Sequence, residues 1–143
     1  MPNQHTVTLT YKSEGGTSTI TNYVFDCGKS INVEEDIPIG ATDLELAIDI
    51  PSTADTLGFA FGAKKKAGQA ASANTVELEI RTNAPSTGTP DDSFTITDTN
   101  GFGWNNADPV VNPLTAAVTS LFITNTGNAI AELSIRAGID PTI

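Results

Sequence analysis

Apolar and polar residues alternate in steps of two along most of this chain, the period of a pleated strand with one buried face. The clearest run has Leu44, Leu46, Ile48 and Ile50 on one side and Asp43, Glu45 and Asp49 on the other. A helix would need apolar residues at spacings of three and four, which this run lacks. The same alternation predicts a first strand at Val7, Leu9 and Tyr11, a less regular second over Thr17 to Phe25, and the turn Ser13-Glu14-Gly15-Gly16 between them. Ile31 to Glu34 is a short third strand, ended at Ile37-Pro38-Ile39-Gly40 because proline has no amide hydrogen to give a ladder. Further strands are predicted at Leu57-Phe61, at Val76, Leu78 and Ile80, and at Phe94 and Ile96. Another runs through Val118, Leu121 and Ile123, where the spacing slips by one as at a bulge. Ile130, Leu133, Ile135 and Ala137 supply the last, and Thr124 to Asn128 reads as a hairpin turn because Asn and Gly tolerate positive φ.

Between these runs the chain is punctuated rather than periodic. Gly62 to Asn74 is rich in Gly, Ala, Ser and Lys and reads as a mobile, projecting loop. Asn83 to Asp92, with Pro85 and Pro90, is a second long turn-rich segment. Phe102 to Pro113 has no period, and its two prolines predict an extended connection. Eight or nine strands at such intervals predict an all-β fold, a single antiparallel β-sandwich or jelly-roll-like domain over 1–143, with no helix required. The predicted core includes Leu46, Ile48, Phe59, Leu78, Ile80 and Ile123.

Composition sharpens this picture by exclusion. A chain of 143 residues buries about two-thirds of its extended surface on folding, enough for a core without disulfide or metal staples. The formal net charge is −10, with five lysines and two arginines, so a phosphate backbone is repelled and direct nucleic-acid binding is not expected. Cys27 is the only cysteine, which excludes an intrachain disulfide framework. Met1 to Leu9 lacks the basic-then-apolar order of a signal peptide, and no apolar run approaches the length of a membrane-spanning helix. The expectation is a protein made in the cytoplasm, without membrane partners.

Few residues suggest chemistry. His5 stands alone near the N-terminus with no nucleophile-and-acid grammar around it, and Cys27 reads as a small buried hydrophobe. Glu34-Glu35-Asp36 and Asp91-Asp92 offer oxygen ligands for calcium but lack the spaced pattern of a calcium loop; as a glycosidase carboxylate pair they are equally unspecific. Trp104, between Gly103 and Asn105, is either a sugar-stacking platform or a plug for one end of the sandwich. Lys64, Lys65 and Lys66 form either a contact for an acidic partner or a solvated loop tip. No catalytic, metal or cofactor residue is expected; Lys64, Lys65, Lys66 and Trp104 are the candidate partner contacts.

From Glu77 onward an ordered string carries a resemblance. It runs through Glu79-Ile80-Arg81-Thr82-Asn83, Thr89-Pro90-Asp91-Asp92, Phe94-Thr95-Ile96, an isolated Trp104, and Asn112-Pro113-Leu114. It ends in Val118-Thr119-Ser120-Leu121-Phe122-Ile123-Thr124-Asn125 and Ala131-Glu132-Leu133-Ser134-Ile135-Arg136. Over this half the chain resembles small β-rich virion structural proteins of tailed bacteriophages, of the capsid decoration or cement type. The resemblance implies a non-enzymatic subunit on the outer capsid surface, a homo-oligomer, in some cases a trimer, that contacts the major capsid protein or other virion subunits. The alternative it leaves open is a carbohydrate-binding or host-adhesion module of a phage tail or surface.

Overall fold

Strands form wherever the two-residue alternation runs, and the computed structural model, which describes residues 3–12, 18–27, 29–51, 56–106 and 111–139, contains ten of them and no helix among those residues. In chain order they are β1 (Asn3–Lys12), β2 (Ser18–Cys27), β3 (Lys29–Ile37), β4 (Leu44–Ile50), β5 (Thr56–Lys65), β6 (Glu77–Thr82), β7 (Ser93–Thr97), β8 (Phe102–Asn105), β9 (Val118–Asn125) and β10 (Ala131–Ile139). β1 and β2 form a two-stranded ribbon of their own, in unbroken register from Asn3↔Cys27 to Lys12↔Ser18. The other eight build two antiparallel sheets, ordered β3-β10-β5-β8 and β4-β9-β6-β7, that pack as a sandwich.

The pairings nest. β6 pairs with β7, β5 with β8, β4 with β9 and β3 with β10, so the chain behaves as one long hairpin folded over into two layers. Only the step from β6 to β7 stays within a sheet; every other connection from β3 onward crosses to the opposite one. β10 lies between β3 and β5, and its inward side chains Ala131, Leu133, Ile135 and Ala137 are all buried. They meet Leu78, Ile80, Leu121 and Ile123 of the facing sheet in one core. At the β7–β8 side the two layers are joined by aromatic rings. Phe94 of β7 stacks on Phe102 of β8 with centroids 4.0 Å apart, and Phe61 meets Phe94 edge-on at 5.1 Å.

Five of the six expected core residues are buried: Ile48, Phe59, Leu78, Ile80 and Ile123. Leu46 is only partly buried, because cover over the edge strand β4 runs out toward its start: Ile50 and Ile48 are buried, whereas Leu44 is exposed. The bulge expected in the strand at Val118 lies instead in its partner β4. Three steps along β4, from Ala47 to Ile50, match two along β9, from Ser120 to Val118.

Three expectations are corrected. Phe102–Asn105 is not a bare connection but the edge strand β8, paired with Gly58 to Phe61 of β5; four residues are too few to show a period. Gly62 to Lys65 is the end of β5, so the expected mobile loop begins only after it, and what remains is tied down, as described below. Thr124 to Asn128 does not close a hairpin, because β9 and β10 lie in different sheets. It is a corner.

That corner is built on Asn125, which is 6% exposed. Its Nδ2 donates to the carbonyls of Ile37 and Ala129, at 3.1 and 2.9 Å, and its Oδ1 accepts from the Gly127 amide. Its own amide donates to the Ala41 carbonyl. The β3–β4 crossing is thereby fastened to the β9–β10 crossing. The first of these turns through Pro38 to Ala41, with Gly40 at φ 81°, as a type II turn requires. The second uses Gly127 for closeness: a Cβ there would fall far inside van der Waals contact of the Thr75 carbonyl.

Two outcomes follow for equilibrium unfolding. Asn125→Ala strands two buried carbonyls, each worth about 1–3 kcal/mol, and Asn125→Asp, which replaces the donor by a carboxylate, is the more damaging of the two. Leu78→Ala costs about 2–5 kcal/mol, and Leu46→Ala, toward the less covered start of β4, clearly less; equal losses would mean that the inner faces are misassigned.

Candidate functional site

The residues with chemical potential gather in the loops and on the outer sheet faces, and almost all are engaged within the fold. After β5, Lys66 donates its amide to the Ile130 carbonyl. Gln69 reaches the same residue with both ends of its amide: Nε2 donates to the Ile130 carbonyl, and Oε1 accepts from the Ile130 amide at 2.7 Å. Asn128 accepts the Asn74 and Thr75 amides and donates to the Ser72 carbonyl. The 66–76 segment is therefore strapped to the β9–β10 corner along its length. Residues Gly and Ala suggested mobility; the straps come from partners more than fifty residues away.

The opposite loop, 83–92, is held in the same manner. Asn83, at φ 66°, adopts the left-handed conformation that Asn tolerates better than most residues. Its Oδ1 accepts the Thr119 amide at 2.8 Å, and its Nδ2 donates to Asp91 and to the Ala117 carbonyl. Asp92 accepts the amide and hydroxyl of Thr115. Asp43, at φ 48°, accepts the Ser86 amide at 3.1 Å and the Ser86 hydroxyl at 2.5 Å. Since Asn83 is tied to β9 and Ser86 to the start of β4, this loop bridges over β9 on the outside of its sheet.

The charged clusters resolve into pairs. Glu34 meets Arg136 at 2.7 Å and Lys64 meets Glu132 at 3.3 Å. Lys66 pairs with Asp36, and Lys65 donates to the Ala70 carbonyl. These contacts lie across β3, β10 and β5 and beside a shallow groove lined by Glu34, Glu35, Asp36, Lys64 and Glu132. Exposed pairs of this kind contribute little stability each, but they balance most of the groove's charge. Each of the three lysines singled out in the sequence thus has an intrachain partner. Arg81 likewise contacts Glu79 and Asp43.

Trp104 is a half-buried side chain of β8 packed against the core, its ring 6.3 Å from that of Phe59. With Phe102 it seals the open side of the sandwich, so part of the ring face that a sugar would stack on is taken. Lys64–Lys66 and Trp104 are not brought together: the lysines sit at the loop end of β5, whereas Trp104 lies opposite Phe59 on the other flank of that strand. The side chains of His5 and Cys27, and the turn at Ser13 to Gly16, lie outside the described residues.

Among the described residues two side chains, Asp43 and Lys66, titrate away from their ordinary values, and both are held in their charged forms. The Ser86 hydroxyl and then its amide keep the Asp43 carboxyl below the usual 3.8. The hydrogen bond to Asp36, followed by that residue's charge, raises Lys66 above 10.5. A general acid needs the opposite, a carboxyl pushed toward neutrality. Among the described residues no group of three or more His, Cys, Asp or Glu converges as metal ligands. The residues that sequence reading missed are the anchors Asn83, Gln69 and Asn128. A turn-forming Asn after a strand was the available signal, but its partners were not legible. Comparison with known protein families, with curated proteins and with solved structures finds no match to this chain.

The Asp43–Ser86 clasp has a definite acid signature. Because the folded Asp43 titrates below 3.8, its contribution is complete above the unfolded value and is lost as pH falls through the folded one. Ser86→Ala should therefore lower the denaturation midpoint at neutral pH, and the gap to the wild type should narrow as the pH falls below 3.8. A gap that persists there would assign the effect to packing.

Proposed function

We propose that this chain is a non-enzymatic virion structural protein, a capsid decoration subunit that binds the outer shell of a phage particle and reinforces contacts between capsomers. The observation that carries this reading is the use made of the loop side chains. Asp43, Asn83, Asp92, Gln69 and Asn128 are committed to fixing loop shape, as befits surfaces that dock rigidly on a repeating partner rather than a pocket that does chemistry. The nested pairing of β3 to β10 supports the jelly-roll form of sandwich, an architecture shared by viral capsid and lectin domains. The acidic exterior suits a surface facing solvent, away from packaged nucleic acid. Partners under this reading are the major capsid protein and further virion subunits.

The adhesion alternative leaned on Trp104, and the packing of that ring against Phe59 weakens it. Binding to an assembled shell stabilises the assembled state alone. Particles lacking this protein should therefore rupture at lower temperature and under milder osmotic shock, and purified protein should restore them. Equal robustness with and without it removes the cement role.

A further inference from the structure

The two sheets of the sandwich leave four edge strands, β3 and β8 in one and β4 and β7 in the other. An exposed edge offers unpaired amides and carbonyls to any strand that reaches it, and charged side chains or proline normally discourage that pairing. β3 carries Glu34, Glu35 and Asp36, and β4 carries Glu45 and Asp49. β7, Ser93-Phe94-Thr95-Ile96-Thr97, and β8, Phe102-Gly103-Trp104-Asn105, carry neither charge nor proline. These two unguarded edges lie side by side, joined by the stacking of Phe94 on Phe102.

The ladder fixes which backbone groups of β7 are free. Thr82 donates its amide to the Asp92 carbonyl. Counting along the register from that bond makes Ile80↔Phe94 and Leu78↔Ile96 the hydrogen-bonded pairs with β6. The amides and carbonyls of Ser93 and Thr95 therefore point away from the sheet, and among the described residues no strand takes them up. Beneath this edge the rings of Phe59, Phe61, Phe94, Phe102 and Trp104 are in contact with one another. Of these, Phe94, Phe102 and Trp104 are only partly buried, and aromatic residues are enriched where proteins meet.

The order of residues in β7 says what fits there. Read outward from Thr95, the strand carries Phe94 and Ile96 on either side, then Ser93 and Thr97. It is nearly the same in both directions, so a second β7 laid antiparallel about a two-fold axis at Thr95 meets its own pattern. Thr95 then exchanges both backbone bonds with Thr95 of the second copy. Phe94 falls opposite Ile96 in the close, non-hydrogen-bonded type of pair, in which side chains meet best. Behind Thr95, Glu79 is paired with Arg81 of its own chain, so no bare charge stands at the axis.

We propose that β7 is a self-association edge, pairing antiparallel with β7 of a second copy so that the β4-β9-β6-β7 sheet continues from one copy into the other. Such a contact is isologous, each copy giving and receiving the same surface. Five residues span about 17 Å, so the contact falls well short of the roughly 800 Å² per partner of a standard interface and association is concentration-dependent. Asp92 and Asp98 flank the paired segment, and each copy has a net charge of −10; added salt screens that repulsion and strengthens the dimer. The inference does not rest on the virion reading, since purified chain associates or fails to do so without any particle.

The test is sedimentation velocity of the full chain from micromolar to near-millimolar concentration, at low and high salt, with three variants. The wild type should pass from monomer to dimer as concentration rises, and at lower concentration in high salt. Thr95→Pro removes the outward amide without touching a bond to β6, and proline is tolerated at such an edge position. Thr95→Lys sets like charges opposite each other at the axis. Both should weaken association about tenfold or more while keeping the melting transition, and Thr95→Lys carries the test alone should Thr95→Pro fail to fold. Ala47→Lys, an exposed position on the opposite edge strand β4, should associate as the wild type does. The proposal is overturned by a wild type that stays monomeric throughout, including one that binds only a capsid or a glycan, or by a dimer that salt dissociates. It is equally overturned if the Thr95 variants associate normally, or if Ala47→Lys abolishes association as fully as they do.

Discussion

A chain that changes sheet at nearly every connection must satisfy its backbone at each corner, where neither ladder is available to do so. Here the most demanding corner is met by a single buried amide. Asn125 fastens the carbonyls of Ile37 and Ala129 and takes the Gly127 amide, so the outgoing crossing from β3 and the returning one into β10 are set by the same side chain. A carboxylate lacks the donors and an aliphatic residue lacks both kinds of group, which leaves little freedom at this position. The spacing of the layers, the seating of β10 between β3 and β5, and the position of the 66–76 segment all depend on that corner.

From the corner outward the same economy recurs in the loops. Asn128 and Gln69 brace one end of the sandwich, Asn83 and Asp92 the other, and Asp43, beside Thr124, holds Ser86 of the loop that crosses β9. Each uses a short polar side chain to replace a missing ladder partner. The acidic character of the chain is thus partly architectural: several carboxylates that look available in the sequence are acceptors for particular amides and hydroxyls. The proposed structural role fits a body whose loops are held in one shape.

The alternation at Leu44 to Ile50 and at Val76 to Ile80 made the strands legible, because a half-buried pleat imposes its period directly on the residues. The inward faces were legible for the same reason, and Leu46 departed from expectation because how far the facing sheet covers each end of β4 is a property of the fold. β8 escaped because Phe102 to Asn105 is shorter than any readable period. The corner at Thr124 to Asn128 looked like a hairpin because turn residues report backbone freedom and not which sheet the chain enters next. Lys64, Lys65 and Lys66 looked like one cluster, yet they reach Glu132, Ala70 and Asp36 respectively. Glu132 and Asp36 lie thirty or more residues from their lysines, and such pairings are set by the nesting, which no local pattern encodes.

The nesting also governs when the molecule is able to fold. β10 is an inner strand of its sheet and the last of the ten to be made, while β3 and β5, which it separates, come early. On a ribosome, at about 5–20 residues per second, that sheet cannot close until Ile139 has cleared the exit tunnel. Until then β3 and β5 wait as unpaired edges beside apolar side chains meant for the core. The β6–β7 hairpin is the one local unit of the sandwich free to form ahead of time, and pairings as distant in sequence as β3 with β10 assemble slowly. In a cell filling with newly made copies, this interval is when one chain's waiting edge is open to a neighbour's strand. The charged residues Glu34, Glu35 and Asp36 on β3 stand as a guard against that misalliance.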